Sequence, residues 1–267
     1  MKFWLTLGFV SIVTFAACSV GVAEKHWQLA ENFSKQGQHL RAIEEYSRVV
    51  NFGGRSPISA RAQLAIAATY ENNIKDYVRA IRAYRDVIRR SDDVSIRIQA
   101  QWAIAKIYLE RLENPLSAAE EYRLLYREMG KGDRRSPEIL MEWAQAMLDA
   151  GRPQDAAALF LEFRESFPGH RDSPRALLEE AKALLADRRF DRARGLFQET
   201  ISKFRDQSGF ETLVGEAYYG LGLCLEGGGD LSQAMEAYRQ SLAQYPNRKV
   251  IELKIEGLMK RQKEKRL

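Results

Sequence analysis

A small residue and an aromatic stand one helical turn apart six times along this chain: Ala42 with Tyr46, Ala80 with Tyr84, Ala118 with Tyr122, Ala156 with Phe160, Ala193 with Phe197 and Ala234 with Tyr238. The alanines follow one another at intervals of 38, 38, 38, 37 and 41 residues. That length is one supersecondary unit rather than one helix or one domain, so the chain is an array of like parts. Residues i and i+4 meet on one helix face. The alanine lets two helices approach closely, and the aromatic one turn later fills the gap to the next unit.

Each unit reads as two helices, the first carrying an apolar stripe and the second carrying the alanine and the aromatic. The sixth is the clearest, with Tyr218, Leu221, Gly222 and Leu225, a turn from Gly227 to Asp230, then Ala234 and Tyr238, ending at Pro246. The fourth has Leu140, Trp143, Ala144 and Met147 before Ala156 and Phe160; the fifth has Leu177, Ala181 and Leu184 before Ala193 and Phe197; the first has Leu29, Ala30 and Phe33 before Ala42 and Tyr46. The second and third, with Ala67 and Tyr70, then Ala105 and Tyr108, carry one extra turn residue in "NNIKDY" and "RLENPL". That insertion leaves two registers open for their first helices. Proline inside a helix costs about 3 kcal/mol, and all seven prolines avoid the proposed interiors. Pro57, Pro137 and Pro174 each follow a serine, which predicts Ser56, Ser136 and Ser173 as N-caps.

In order and spacing these positions resemble the tetratricopeptide repeat. The expected fold is all-α: a right-handed α-solenoid of about six tetratricopeptide-like hairpins, bounded at 24–56, 57–97, 98–135, 136–172, 173–209 and 210–246. A basic capping helix follows over 247–267, where Val250, Leu253 and Leu258 would cover the last apolar face. Adhesion of that basic segment to anionic headgroups is the other reading.

Stacked hairpins of this class curve, and their first helices line a concave groove for an extended peptide or a partner's helix. The resemblance places Trp27, Leu64, Trp102, Met141, Leu178 and Tyr219 at that groove, with Lys106, Gln145 and Lys182 one turn on. Large aromatics and methionine are the types that dominate interface energetics. For Trp27, Leu64 and Trp102 the alternative is a place in the hairpin core.

The first residues stand apart from the array. An apolar run from Phe3 to Ala17 is shorter than the roughly 20 residues a bilayer-spanning helix needs, but it suits the core of a signal peptide over 1–17. It ends at "FAACS", which resembles the lipobox of bacterial lipoproteins, although Phe15 stands where that motif usually has an aliphatic residue. The resemblance implies that Cys18 is lipidated, that 18–23 is a short linker, and that two or three acyl chains hold the protein on a membrane. Ser19 after the cysteine is not the Asp that resembles an inner-membrane retention signal of such lipoproteins, so the resemblance implies the periplasmic face of the outer membrane. The alternatives are cleavage after Ala23, leaving a soluble periplasmic protein, or an uncleaved anchor. After Cys18 only Cys224 remains, within the apolar "AYYGLGLCL", so the mature chain has no intramolecular disulfide.

With 45% hydrophobic and 29% charged residues, the 267-residue chain can bury an extended core. The net charge of +5 arises from 41 basic and 36 acidic residues, intermixed apart from "KGDRRS" at Lys131 and the last eight residues. No aromatic-interleaved basic motif argues for nucleic acid. His26, His39 and His170 lie on separate units without further ligands at metal spacing. "GLG" at Gly220 follows no strand, and the three glycines at 227–229 precede no lysine and hydroxyl residue, so neither is a nucleotide site. The chain reads as non-enzymatic, with no metal, cofactor or small-molecule substrate, and with a protein or peptide partner.

A lipobox followed by five or six such units resembles the BamD family of outer-membrane assembly lipoproteins. The tyrosine-proline repeat ends of that family have counterparts in "QYPN" at Tyr245 and, less closely, "SFPGH" at Phe167. The resemblance implies a role in envelope protein assembly. An adaptor for another envelope machine, serving secretin or pilus biogenesis or division, is the alternative, followed by a periplasmic enzyme accessory.

Overall fold

The computed structural model describes residues 21–264. The expected signal peptide and Cys18 lie outside the described residues. Within them are thirteen helices and no strand: α1 over 21–35, α2 His39–Gly53, α3 Pro57–Thr69, α4 Tyr77–Arg90, α5 Val94–Lys106, α6 Pro115–Met129, α7 Ser136–Asp149, α8 Pro153–Ser166, α9 Ser173–Ala186, α10 Phe190–Phe204, α11 Glu211–Gly227, α12 Leu231–Ser241 and α13 Arg248–Glu264. Contacts divide the chain into two compact units, one ending at Met129 and one beginning at Gly130.

Each unit is built of tetratricopeptide-like hairpins. In the first, every helix from α2 to α6 packs on the next, and α3 also touches α5; in the second, the same holds from α7 to α13, and α9 touches α11. Contact between alternate helices sets the first helices of neighbouring hairpins side by side. The six recurring alanines are all fully enclosed, and of their aromatic partners none is more than 6% exposed. Burying such an aromatic contributes about 1.5–3 kcal/mol, so the repeated pair is a recurring core element of each hairpin. Gly220 and Gly222 serve the same contact. A Cβ at Gly220 would stand 2.2 Å from Phe197, and one at Gly222 would stand 2.4 Å from Tyr238.

The extra residue of the second and third units is absorbed without lengthening the path. Helix α3 ends in a π-helical turn, Tyr70–Ile74, and α5 in another, Ile107–Arg111. Such a turn takes one more residue per revolution than an α-turn. It delivers Lys75 and Glu113 in left-handed conformation, with φ of 60° and 48°, to the connection that follows.

Several local expectations are corrected. The helix α1 is already formed at residue 21 and Ala23 is buried with Ala30 and Tyr46, so the stretch expected as a linker to residue 23 is in part core. The third hairpin begins at Val94 rather than 98, because the Asp93 carboxylate accepts hydrogen bonds from the Ser95 and Ile96 amides and caps the helix there. Ser136 and Ser173 are the first residues of their helices, not N-caps. Each turns its hydroxyl back to a loop carbonyl six residues earlier, Gly130 O and Phe167 O respectively, which fixes the entry of the chain. Ser56 does hold the N-cap place, but its hydroxyl faces that of Ser59 at 3.3 Å. On α13 the covering stripe is Ile251, Ile255 and Leu258, spaced i, i+4, i+7; Leu253 is 57% exposed.

Candidate protein-binding groove

In the first unit the first helices α1, α3 and α5 enclose an open cleft of about 310 Å³, lined by Trp27, Arg61, Leu64, Ala65, Ala68, Gln99 and Ala103, with Tyr84 at its base. Trp27 is held in place from two sides. Its ring meets Tyr46 edge-on at 5.2 Å, and the Arg61 guanidinium lies 4.8 Å over its face. Small residues at Ala65, Ala68 and Ala103 leave the floor shallow and apolar. A partner's apolar side chain can enter there beside a cation. Trp102 lies outside this cleft: its indole N–H is enclosed without an acceptor among the described residues, and the Lys106 ammonium sits 5.6 Å from its ring.

The corresponding face of the second unit is charged. Arg134, Glu138, Met141, Glu142 and Gln145 approach from α7 and its preceding loop, and His170, Arg171, Asp172, Arg175 and Glu179 from α9 and its preceding loop, around a cleft of about 560 Å³. Further along, Lys182 bonds both Glu179, at 3.2 Å, and Glu216. Arg175 also pairs with Glu179 and approaches Glu216 at 3.7 Å. Two carboxylates and two cations thus form one closed cluster across α9 and α11. Tyr219 packs between Tyr238 and Tyr245, at 5.7 and 4.8 Å, and burial, followed by the nearby Glu226 carboxylate, raises its phenol pKa.

The sequence-derived positions therefore divide. Trp27 and Leu64 share one cleft and Met141 and Gln145 another, while Lys182 belongs to the charged cluster. Leu178 is corrected: it is fully enclosed and packs in the core. Among the cleft residues overlooked in the sequence are Arg61, Gln99, Glu138 and Arg175, each three residues before Leu64, Trp102, Met141 and Leu178. A search one turn toward the N-terminus, where helical side chains lean, would have found them.

Two buried carboxylates outside the clefts are structural. Glu121 on α6 receives hydrogen bonds from Gln101 on α5 and from Arg85 on α4, the latter at 3.3 Å. Burial raises its carboxyl pKa against that pairing. Glu180 is arranged alike, with Arg164 as its partner and Glu199 sharing that guanidinium. Among the described residues no group of His, Cys, Asp and Glu is placed to hold a metal ion, and no helix is long and apolar enough to cross a membrane. The loop "KGDRRS" is locked by Arg135, which chelates the Asp133 carboxylate at 3.1 and 2.9 Å and brings its pKa down to about 2.

The tetratricopeptide repeat profile matches residues 141–209 and again 178–249. No curated protein matches the chain. Among solved structures, YrrB, a TPR protein with an unusual peptide-binding site, is 13% identical, with 78% of this chain and 96% of that one covered and a TM-score of 0.54. MamA protein is 19% identical, with 69% and 91% covered and a TM-score of 0.52. A tetratricopeptide repeat protein from Parabacteroides merdae is 14% identical, with 90% and 99% covered and a TM-score of 0.49. The likeness to YrrB and MamA is one of fold.

Proposed function

We propose that this chain is a non-enzymatic scaffold that holds a segment of a protein partner against the first-helix faces of its hairpins. In this reading it is a BamD-like lipoprotein, tethered through Cys18 to the periplasmic face of the outer membrane and contributing to envelope protein assembly. The observation that carries it is the pair of first-helix clefts, each with half-buried side chains presented to solvent: Trp27 and Leu64 over an alanine floor in one unit, Met141 beside Glu138 and Arg175 in the other. Half-buried aromatic and methionine side chains beside fixed charges suit recognition of an amphipathic segment. A peptide-binding site on YrrB, which has the same fold, supports the choice of ligand. The leader and lipobox resemblance support the location.

Photo-crosslinkers placed at Leu64 and at Gln145 in the intact cell test the reading. Attachment to a subunit of the β-barrel insertion machine is the expected outcome, and attachment to a secretin or division protein would reassign the envelope task. No attachment at either position, with attachment at an outward position such as Arg123, would overturn the groove. Separately, Cys18→Ala should release the protein from membranes, and unchanged fractionation would remove the lipid anchor.

A further inference from the structure

The first unit carries a second cleft, on the side of α3 turned away from the groove. It is about 380 Å³ and lies between α2 and α4 above α3. Gln63, Ile66 and Tyr70 face it, whereas Arg61, Leu64 and Ala68 face the groove. Comparison with the next hairpin shows why it is open. There Gln101 gives its amide to the Glu121 carboxylate, and Arg85 binds the same carboxylate from the preceding second helix. Counting back 38 residues from each, the same three places are held by Gln63, Ala83 and Ser47. The glutamine is kept, the carboxylate is replaced by a methyl group and the guanidinium by a hydroxymethyl. The Gln63 amide thus has no carboxylate in front of it, and its Oε1 is buried without a hydrogen-bond partner among the described residues. A buried polar atom left unpaired is costly, and the two ends of an amide exchange by a half-turn.

The rim supplies the missing cations. Arg82 and Arg90 line the cleft from α4 and have no ion-pair partner among the described residues, while Arg79 is engaged by Asp76. Asp86 also lines it, and is itself engaged by Arg89. Val50, Ile66 and Tyr70 form apolar walls. We infer that this cleft binds the carboxylate of an organic acid with a small apolar body, the carboxylate occupying the place that Glu121 fills in the next hairpin. The Gln63 amide, turned to present its N–H, donates to one oxygen. Arg82 and Arg90 face the other, and the apolar body lies against Val50, Ile66 and Tyr70. The size falls within the range of small-ligand sites, about 300–1,000 Å³. Inorganic phosphate would leave the apolar walls uncovered, so an organic carboxylate is the better match. Its source is either a free acid or the C-terminal residue of a peptide.

Calorimetric titration of the full chain with phenylacetate, its neutral amide phenylacetamide, and an acetylated tripeptide ending in phenylalanine separates these. Saturable binding of phenylacetate, of the peptide acid, or of both is expected, with none of the amide; whichever acid binds names the source. Ala83→Glu supplies the carboxylate from within and should weaken binding at least tenfold. Ala83→Leu, bearing the side chain found at the matching places Leu159 and Leu196, should do the same by filling the cleft. Arg82→Gln with Arg90→Gln should weaken binding several-fold and reduce its salt dependence. Equal binding of acid and amide, no binding of either acid, or full affinity in folded Ala83→Leu would each overturn the assignment.

Discussion

The Tyr84 hydroxyl donates a 2.6 Å hydrogen bond to Glu71 Oε2, and four hairpins later Tyr238 donates a 2.8 Å bond to Glu226 Oε2. The first pair is thirteen residues apart and the second twelve. The π-helical turn at Tyr70–Ile74 accommodates the difference, so Glu71 reaches the same place that Glu226 reaches from an unbroken α-helix. Both tyrosines are buried, and both phenols titrate well above their ordinary range, through burial first and the bonded carboxylate second. In the fourth and fifth hairpins the aromatic is Phe160 or Phe197, and no such acceptor is needed.

Glu226 is also the clasp of α13, because Lys254 reaches it at 3.1 Å and Arg261 pairs with its other oxygen. Burial alone would raise its pKa, but the bonds from Tyr238, Lys254 and Arg261 outweigh that and hold it below the ordinary carboxylate value. A carboxylate depressed in the folded state stabilises fully above its ordinary value and loses that contribution as pH falls through the folded one. Amide exchange in α13 should therefore accelerate below about pH 4.5, ahead of α11 and α12. Glu226→Ala should produce the same loosening at pH 7 and cost about 1–3 kcal/mol, chiefly from the orphaned Tyr238 hydroxyl. Unchanged exchange in α13 would count against the clasp.

Glu121 carries the opposite sign. Its raised pKa means that ionisation opposes folding, so its favourable contribution is complete below the unfolded value and is lost as pH rises through the folded one. Glu121→Gln keeps an acceptor for Gln101 and should flatten the pH dependence of denaturant unfolding in the weakly acidic range, measured against the parent chain.

Ala118 is fully enclosed where two helices touch. Ala118→Phe should overpack that contact by about 1–3 kcal/mol, and the loss should spread to neighbouring hairpins because stacked repeats are stabilised by their shared interfaces. Differential scanning calorimetry reads both the lowered midpoint and the broadened transition.

Glycines on helices separate by surroundings. Gly220→Ala drives a methyl group into Phe197 and should destabilise the second unit, whereas Gly195 and Gly257 have open space where their Cβ atoms would stand. Alanine at either of those two should stabilise by about 0.5–1 kcal/mol. Chemical denaturation of the three variants tests the contrast.

Cys224 is 3% exposed, and burial pushes its thiol up to about 11. Reaction with a thiol reagent at pH 8 should be slow until denaturant is added; rapid labelling of the native chain would show that α11 opens.

The helical hairpins were legible in the sequence because each is fixed by a local rule: a small residue, an aromatic one turn later, and prolines confined to starts and turns. Even the inserted residue at "NNIKDY" was visible, though not its resolution as a π turn, which depends on Glu71 meeting Tyr84 from another helix. Groove positions were harder. Leu178 and Met141 occupy matching places in consecutive repeats, yet one is core and the other faces solvent. The second cleft was invisible for a related reason: it is defined by what Ala83 lacks, and an absent side chain has meaning only once its neighbours are placed.

The π turns at the ends of α3 and α5 have one more effect. By taking up a surplus residue within a single revolution, they keep the second helices that follow in phase, so Ala80 and Ala118 are enclosed like the alanines of hairpins without the insertion. The first unit thereby takes up surplus chain at two points while leaving its own interior unaltered, and those two turns are where one residue could be removed without shifting the small-and-aromatic contacts that follow within that unit.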